Sequence, residues 1–364
     1  MSGSGYSRRR FLSVSSALPL GLAAAPALAQ VQTGGPASAG RAVFENGVSV
    51  LSSGPAYGYV AGWTKLLTPY LLGGLPQDVT STFDAMGGPD GVTVGNAFGA
   101  RMDPDGSTLM VAPGAALLAW LEGDSRVKYA PDHWIPILVA LTPAVLVARR
   151  GVSLVPGSRR PLRIGATNPL GPELAALLAL DLIGVPAVPV FGMGDAPSLA
   201  DGLRRRVIDL AFLSGPKIKQ SLALASAAGA VPFFSTGAQG CDGPGKRDPL
   251  LPNVPSFIEA AASSAIDVRG LPNFAAYNAA AAAAATCFAA VLPDLVHAET
   301  VNVWRHGAET GTDSLSIETV SVPQGVRFLT GDCAGALFTQ MSGGPALTTG
   351  LRAKISQRYG WRAS

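Results

Sequence analysis

One short phrase recurs along this chain: an apolar, β-branched run, a turn bearing Gly or Pro, then an Ala- and Leu-rich stretch with helical spacing. It occurs at Val48 to Ser52 before Gly54-Pro55-Ala56-Tyr57-Gly58, and at Thr108 to Ala112 before Pro113-Gly114. It returns at Leu162 to Ala166 before Thr167-Asn168-Pro169, and at Val188 to Phe191 before Gly192-Met193-Gly194-Asp195. Strand and helix alternating in this way predict βαβ units and mainly parallel sheets flanked by helices. Such turns bring the first free N–H groups of a helix to the carboxyl edge of a sheet, where amides and the helix dipole hold an anion without a cationic side chain. Any one of these glycines is explained as closing a tight turn. Several together, in a chain with only 14% charged residues, point to a recessed ligand site.

Catalytic signatures do not accompany the turns. The sequence contains no G-x-S-x-G elbow, no G-x-x-x-x-G-K-[ST] phosphate loop and no H-E-x-x-H, and Gly192-Met193-Gly194 continues with Asp195-Ala196 rather than completing a dinucleotide fingerprint. His133, His297 and His306 have no ligand spacing to each other or to a cysteine, so neither a metal nor another cofactor is expected. His133, next to Trp134, reads as a structural loop residue, and Asp103-Pro104-Asp105-Gly106 reads as a turn before a strand rather than a calcium loop. Lys and Arg number 27 against 24 acids, and three of those bases are Arg8, Arg9 and Arg10 near the N-terminus. Without them the chain is neutral, which excludes nucleic acid as a partner.

The N-terminus reads as an address. Ser7-Arg8-Arg9-Arg10-Phe11-Leu12 precedes a weakly apolar run ending in Ala27-Leu28-Ala29, the pattern of a twin-arginine signal peptide over 1–29. That run is too short and too interrupted by Ser13, Ser15, Ser16, Pro19 and Pro26 for a span of about 20 apolar residues. A Gly/Pro/Ser/Ala linker follows over 30–42, and the alanine run Ala279 to Ala285 is expected as a helix of the folded protein. An exported chain can form disulfides. Cys241, Cys287 and Cys333 allow one bridge with a leftover thiol, or three separate thiols.

Six segments in order resemble the exported solute receptors of tripartite tricarboxylate transporters, the Bug family. They are Leu66-Leu67-Thr68-Pro69-Tyr70-Leu71, Asp103-Pro104-Asp105-Gly106-Ser107-Thr108-Leu109 and Tyr129-Ala130-Pro131-Asp132-His133-Trp134-Ile135-Pro136-Ile137. The others are Pro189-Val190-Phe191-Gly192-Met193-Gly194-Asp195-Ala196-Pro197, Ile208-Asp209-Leu210-Ala211-Phe212 and Leu251-Pro252-Asn253-Val254-Pro255-Ser256-Phe257-Ile258-Glu259-Ala260. The resemblance covers Val48 to Ala261 and fades beyond it. Ala61 stands where the family's first turn carries Asp, and Glu173 stands near a frequent His, so the chain resembles a divergent member.

The resemblance implies a type II periplasmic binding protein with two lobes, each a mainly parallel sheet flanked by helices, that opens and closes about two crossing strands. Lobe 1 would comprise 43–148 and 230–364, and lobe 2 would comprise 149–229. A small carboxylate would sit between them, to be delivered to membrane permease subunits by a monomeric, non-enzymatic receptor in the periplasm. The turn segments 53–58, 87–93, 167–171 and 192–196 contain no Lys or Arg, so backbone amides must supply most donors. The expected ligand-binding residues are Ser53, Gly54, Ala56, Tyr57, Gly58, Gly87, Thr93, Thr167, Asn168, Gly171, Phe191, Gly194, Asp195 and Ala196. Hydroxyls of Ser53, Thr93 and Thr167 add directional bonds, and Tyr57 and Phe191 wall the apolar part. Asp195 repels a second carboxylate or meets an amine. Against this, Thr167 and Asp195 are also common helix-starting residues. A degenerate binder serving as sensor or scaffold, and a secreted enzyme with an unrecognised site, are the competing readings.

Overall fold

A computed structural model describes residues 44, 47–75, 79–101, 103–168, 171–241 and 245–360. The expected signal peptide and linker lie outside them. All described residues fall in one compact unit, Pro36–Ser364.

The first sheet receives β1 (Val48–Ser53), helix α1 (Tyr59–Leu71), β2 (Ser81–Met86), α2 (Val92–Arg101), β3 (Thr108–Ala112), α3 (Gly114–Glu122) and β4 (Trp134–Leu141). The chain then crosses to a second sheet made of β5 (Val145–Arg149), β6 (Leu162–Gly165), α4 (Glu173–Leu182), β7 (Ala187–Val190), α5 (Ala196–Arg204), β8 (Leu210–Leu213), α6 (Ile218–Ala227) and β9 (Ala230–Ser235). It returns through α7 (Phe257–Ser263), α8 (Phe274–Ala285), β10 (Thr286–Pro293), α9 (Ala298–Thr312), α10 (Leu315–Gln324), β11 (Arg327–Thr330), α11 (Gly331–Ser342) and α12 (Gly344–Tyr359). The crossing segments are tied to their surroundings by Thr142 N–H to Ala285 O at 2.8 Å and Thr236 N–H to Ala144 O at 2.9 Å.

Strand order is β11-β4-β10-β3-β1-β2 in one sheet and β7-β6-β8-β5-β9 in the other. Both sheets are mixed rather than mainly parallel. The strands of the recurring strand–turn–helix phrase pair in parallel, as in β1 with β2 and β3, and β6 with β7 and β8. The remaining pairs are antiparallel: β10 with β3 and β4, β11 with β4, and β5 with β8 and β9. Strands β5 and β9, on which the expected lobe boundaries fall, both pair within the second sheet.

Why the two sheets pack together follows from two helices with no polar face. Helix α4 reads Glu-Leu-Ala-Ala-Leu-Leu-Ala-Leu-Asp-Leu, and apart from Asp181 every residue of it is buried. A helix apolar all round belongs inside. Helix α8 buries Ala279 through Ala285 completely or nearly so. One core runs from Leu117 and Leu118 of α3 through these alanines to Leu174–Leu180 of α4 and on to Leu146 and Leu210 of the second sheet. Contact with α8 is close: a Cβ on Gly114 would stand 2.1 Å from Ala283 O, so only glycine lets α3 start there. Separate clusters cover the outer faces, around Trp63, Phe288 and Trp304 on the first sheet and around Val145, Leu203 and Ile208 on the second.

Two further ties shape the frame. Asp209 accepts from Arg149 at 3.2 Å and Arg163 at 3.0 Å, joining the ends of β5, β6 and β8. Burial pushes its carboxyl up, but the bonds from Arg163 and Arg149 prevail and hold it at about 2. Cys241 and Cys333 form a disulfide with Cα atoms 4.8 Å apart, leaving Cys287 as the free thiol and settling the open question of pairing. Asp105 and Asp103 accept from Ser107 N–H at 2.8 Å and the Thr108 hydroxyl at 2.9 Å, the turn expected before β3. His133 pairs with Asp294 at 2.6 Å. No described helix is long and apolar enough to cross a membrane.

Candidate ligand-binding site

The turn residues fall into two clusters. In the first, β1 ends at Ser53, Gly54 turns the chain with φ +79°, and its N–H donates to Met86 O at 3.0 Å. This sets Gly54 beside Pro89 of the β2–α2 turn. Gly87, at φ +73°, has its missing Cβ position 2.4 Å from Cβ of Thr93, so these two expected site residues are packed on each other. Ser53 is buried and its Oγ has no hydrogen-bond partner. Asp90 caps α2 by accepting from Val92 N–H at 3.2 Å, which leaves the exposed Thr93 without that duty.

Cations reach these turns although the turn segments contain none. Lys65 Nζ donates to Ala56 O at 2.9 Å, and Arg126 pairs with Asp90 at 2.9 Å. Lys65 lies nearly two turns into α1 and Arg126 follows α3, so the fold delivers what sequence proximity does not. Tyr57, by contrast, is 92% exposed and walls nothing here. Gly58 precedes α1 as its N-cap residue without a side-chain bond.

The second cluster joins the β6–α4 and β7–α5 turns. Met193 N–H donates to Ala166 O at 3.0 Å and Gly192 N–H to Thr167 O at 3.3 Å. A Cβ on Gly194 would meet the Thr167 side chain at 2.9 Å. Asp195 is spoken for: its Oδ1 accepts from Ser198 N–H at 2.7 Å in a capping box that starts α5 at Ala196. That bond holds its carboxyl below the usual range. The Thr167 hydroxyl and N–H donate to the carboxylate of Glu173, which also accepts from its own N–H.

Glu173 is the residue that the turn reading did not place. It opens α4 but is only 4% exposed, and burial pushes its carboxyl up to about 7 against the opposing pull of those three donors. Its Oε2 has no hydrogen-bond partner among the described residues, and a Cβ on Gly171 would lie 2.0 Å from that oxygen. The signal available in sequence was an acid leading an otherwise apolar helix. Glu173 lines a recess with Ala166, Asn168, Gly171, Leu174, Leu177, Pro189 and Phe191, so Asn168, Gly171 and Phe191 of the expected set meet there. The lid comes from the C-terminus: Ile355 and Tyr359 of α12 close the recess.

Helix α12 is held on both halves. Arg352 donates to the carbonyls of Trp120 and Leu121 at the end of α3 and stacks on the Trp120 ring at 5.1 Å. Lys354 and Arg358 pair with Asp181 at the far end of α4. Among the described residues no group of His, Cys, Asp and Glu is placed to hold a metal.

Neither known family sequence patterns nor curated proteins match this chain. Solved structures do. A TctC solute-binding protein from Polaromonas superimposes with a TM-score of 0.61 at 17% identity, over 84% of this chain and 98% of that one. An R. palustris protein solved with adipate gives 0.51 at 18% identity, over 86% and 97%. The periplasmic binding protein BugD gives 0.50 at 16% identity, over 85% and 95%. At such identities the likeness speaks for architecture: the chain has the two-sheet fold of type II periplasmic solute-binding proteins of the TctC and Bug kind.

Proposed function

We propose that this chain is an exported receptor that captures a small carboxylate at the carboxyl edges of its two sheets and delivers it to the membrane permease of a tripartite tricarboxylate-type transporter. The observation that carries the reading is Ser53, whose buried hydroxyl has no partner at the very end of β1. Next to it are the Gly54 and Gly87 turns, and Lys65 adds positive charge at Ala56. A buried donor left unpaired costs about 1–3 kcal/mol, and an anion seated at the turn recovers it. Fold likeness to a protein solved with adipate supports the ligand class. The protein performs no chemistry of its own, works in the periplasm as a monomer, and leaves the cytoplasm by the twin-arginine route.

Thermal shift against mono-, di- and tricarboxylates tests this. A ligand at one hundred times its Kd stabilises by about 2.7 kcal/mol, which shifts the melting temperature upward by several degrees. Ser53→Ala is expected to weaken that ligand about tenfold while leaving apo stability equal or higher. No shift with any carboxylate sinks the reading. A second reading, a sensor or scaffold that has ceased to bind, is favoured by the continuous core between the sheets and by α12 over the recess.

A further inference from the structure

Helix α4 begins as an anion site should, with free amides, the positive end of a helix dipole and a threonine hydroxyl. What occupies those donors is the chain's own acid. The Glu173 carboxylate takes its own N–H together with the N–H and hydroxyl of Thr167. A ligand carboxylate arriving here finds those three donors taken and meets a like charge. An ammonium group finds the opposite: an oxygen, Oε2, that is buried and unpartnered beside Gly171.

The recess suits such a group in size and lining. Its free volume is about 20 Å³, room for one water-sized head such as –NH₃⁺. The walls next to Glu173 are Leu174, Leu177 and Pro189, and half-exposed Phe191 marks the side from which a methylene chain runs outward. We propose that Glu173 makes the second-sheet half of the site a receptor for a primary ammonium on an apolar chain, so that the solute is an amino-carboxylate and not a dicarboxylate. This rests on the carboxylate reading above and names the other end of the same ligand.

The probes are straight-chain ω-amino acids of four to six carbons, such as 6-aminohexanoate, each matched with the diacid of equal length, such as adipate, and with the plain alkylamine. Calorimetry at pH 8 on the mature protein is expected to give each bound amino acid a Kd at least tenfold lower than its diacid. Glu173→Gln, which keeps the shape and removes the charge, is expected to erase that difference. A diacid that binds as tightly as its amino acid overturns the ammonium proposal and leaves the carboxylate receptor standing. An alkylamine that binds as tightly as the amino acid supports the ammonium end and sinks the carboxylate reading instead. A preference that survives Glu173→Gln overturns the proposal, and so, on the wild type alone, does the failure of all the amino acids to bind at millimolar concentration.

Discussion

Glu122, the last residue of α3, and Glu173, the first of α4, are both buried acids, and the charge of Glu173 adds to the burial that already pushes the Glu122 carboxyl well above its usual range. Neither oxygen of Glu122 has a hydrogen-bond partner. The two helices come from different sheets, so ionisation loads the seam between them.

That load fixes the sign of a pH dependence. Both acids hold their protons more tightly folded than unfolded, so the stability they leave intact is full at low pH, falls as pH rises above about 4.5, and reaches its floor above the folded value, about 7 for Glu173. A displacement of this size corresponds to about 3 kcal/mol for Glu173. Glu122→Gln is expected to raise the melting temperature at pH 8 and change it little at pH 5. Equal effects at both pH values defeat the account.

Thr167 holds part of the Glu173 charge. Thr167→Val removes one hydroxyl donor, so the Glu173 carboxyl should titrate still higher, followed by carboxyl NMR, with about 1 kcal/mol lost from the fold above pH 7. An unmoved titration would mean that the hydroxyl serves something else.

Arg352 anchors α12 to the end of α3. Arg352→Ala deletes two carbonyl contacts and the stack on Trp120, for an expected loss of about 2 kcal/mol and faster proteolysis after Gly343. Unchanged cleavage there would show that the Asp181 ion pairs and the buried face of α12 hold it without Arg352.

The Cys241–Cys333 bridge closes a loop with a sequence separation of 92 residues. Chain-entropy reasoning gives about 4–5 kcal/mol as a ceiling, and about 2–4 kcal/mol is usual in practice. Cys241→Ser with Cys333→Ser should melt earlier by the same amount as the wild type under reductant. Three titratable thiols in the unreduced, denatured protein would refute the bridge.

Much of the frame is legible in the sequence. Thr108 to Ala112 is a strand as read, β1 runs one residue past its expected end, and the alanine run is a helix. These follow from local periodicity and turn chemistry, which neighbouring residues settle among themselves. The site is less legible because its decisive contacts are remote. Tyr359 reaches the recess beside Asn168 across most of the second half of the chain, Lys65 arrives at its turn from within α1, and Arg126 arrives from the segment after α3. Asp209, in a segment resembling a family motif, turns out to bind two arginines of the frame. Periodicity carries no information about such meetings.

Helix α8 sets a distance. Alanine has no χ angle to turn, so between Ala279 and Ala285 this helix presents its neighbours with one unalterable contour, backbone and methyl only. Helices α3 and α4 rest on it from opposite halves of the molecule. It works as a gauge block: either half can exchange its own leucines for other residues without altering the gap, whereas one added methyl pair at Ala281 or Ala282 would force the halves apart.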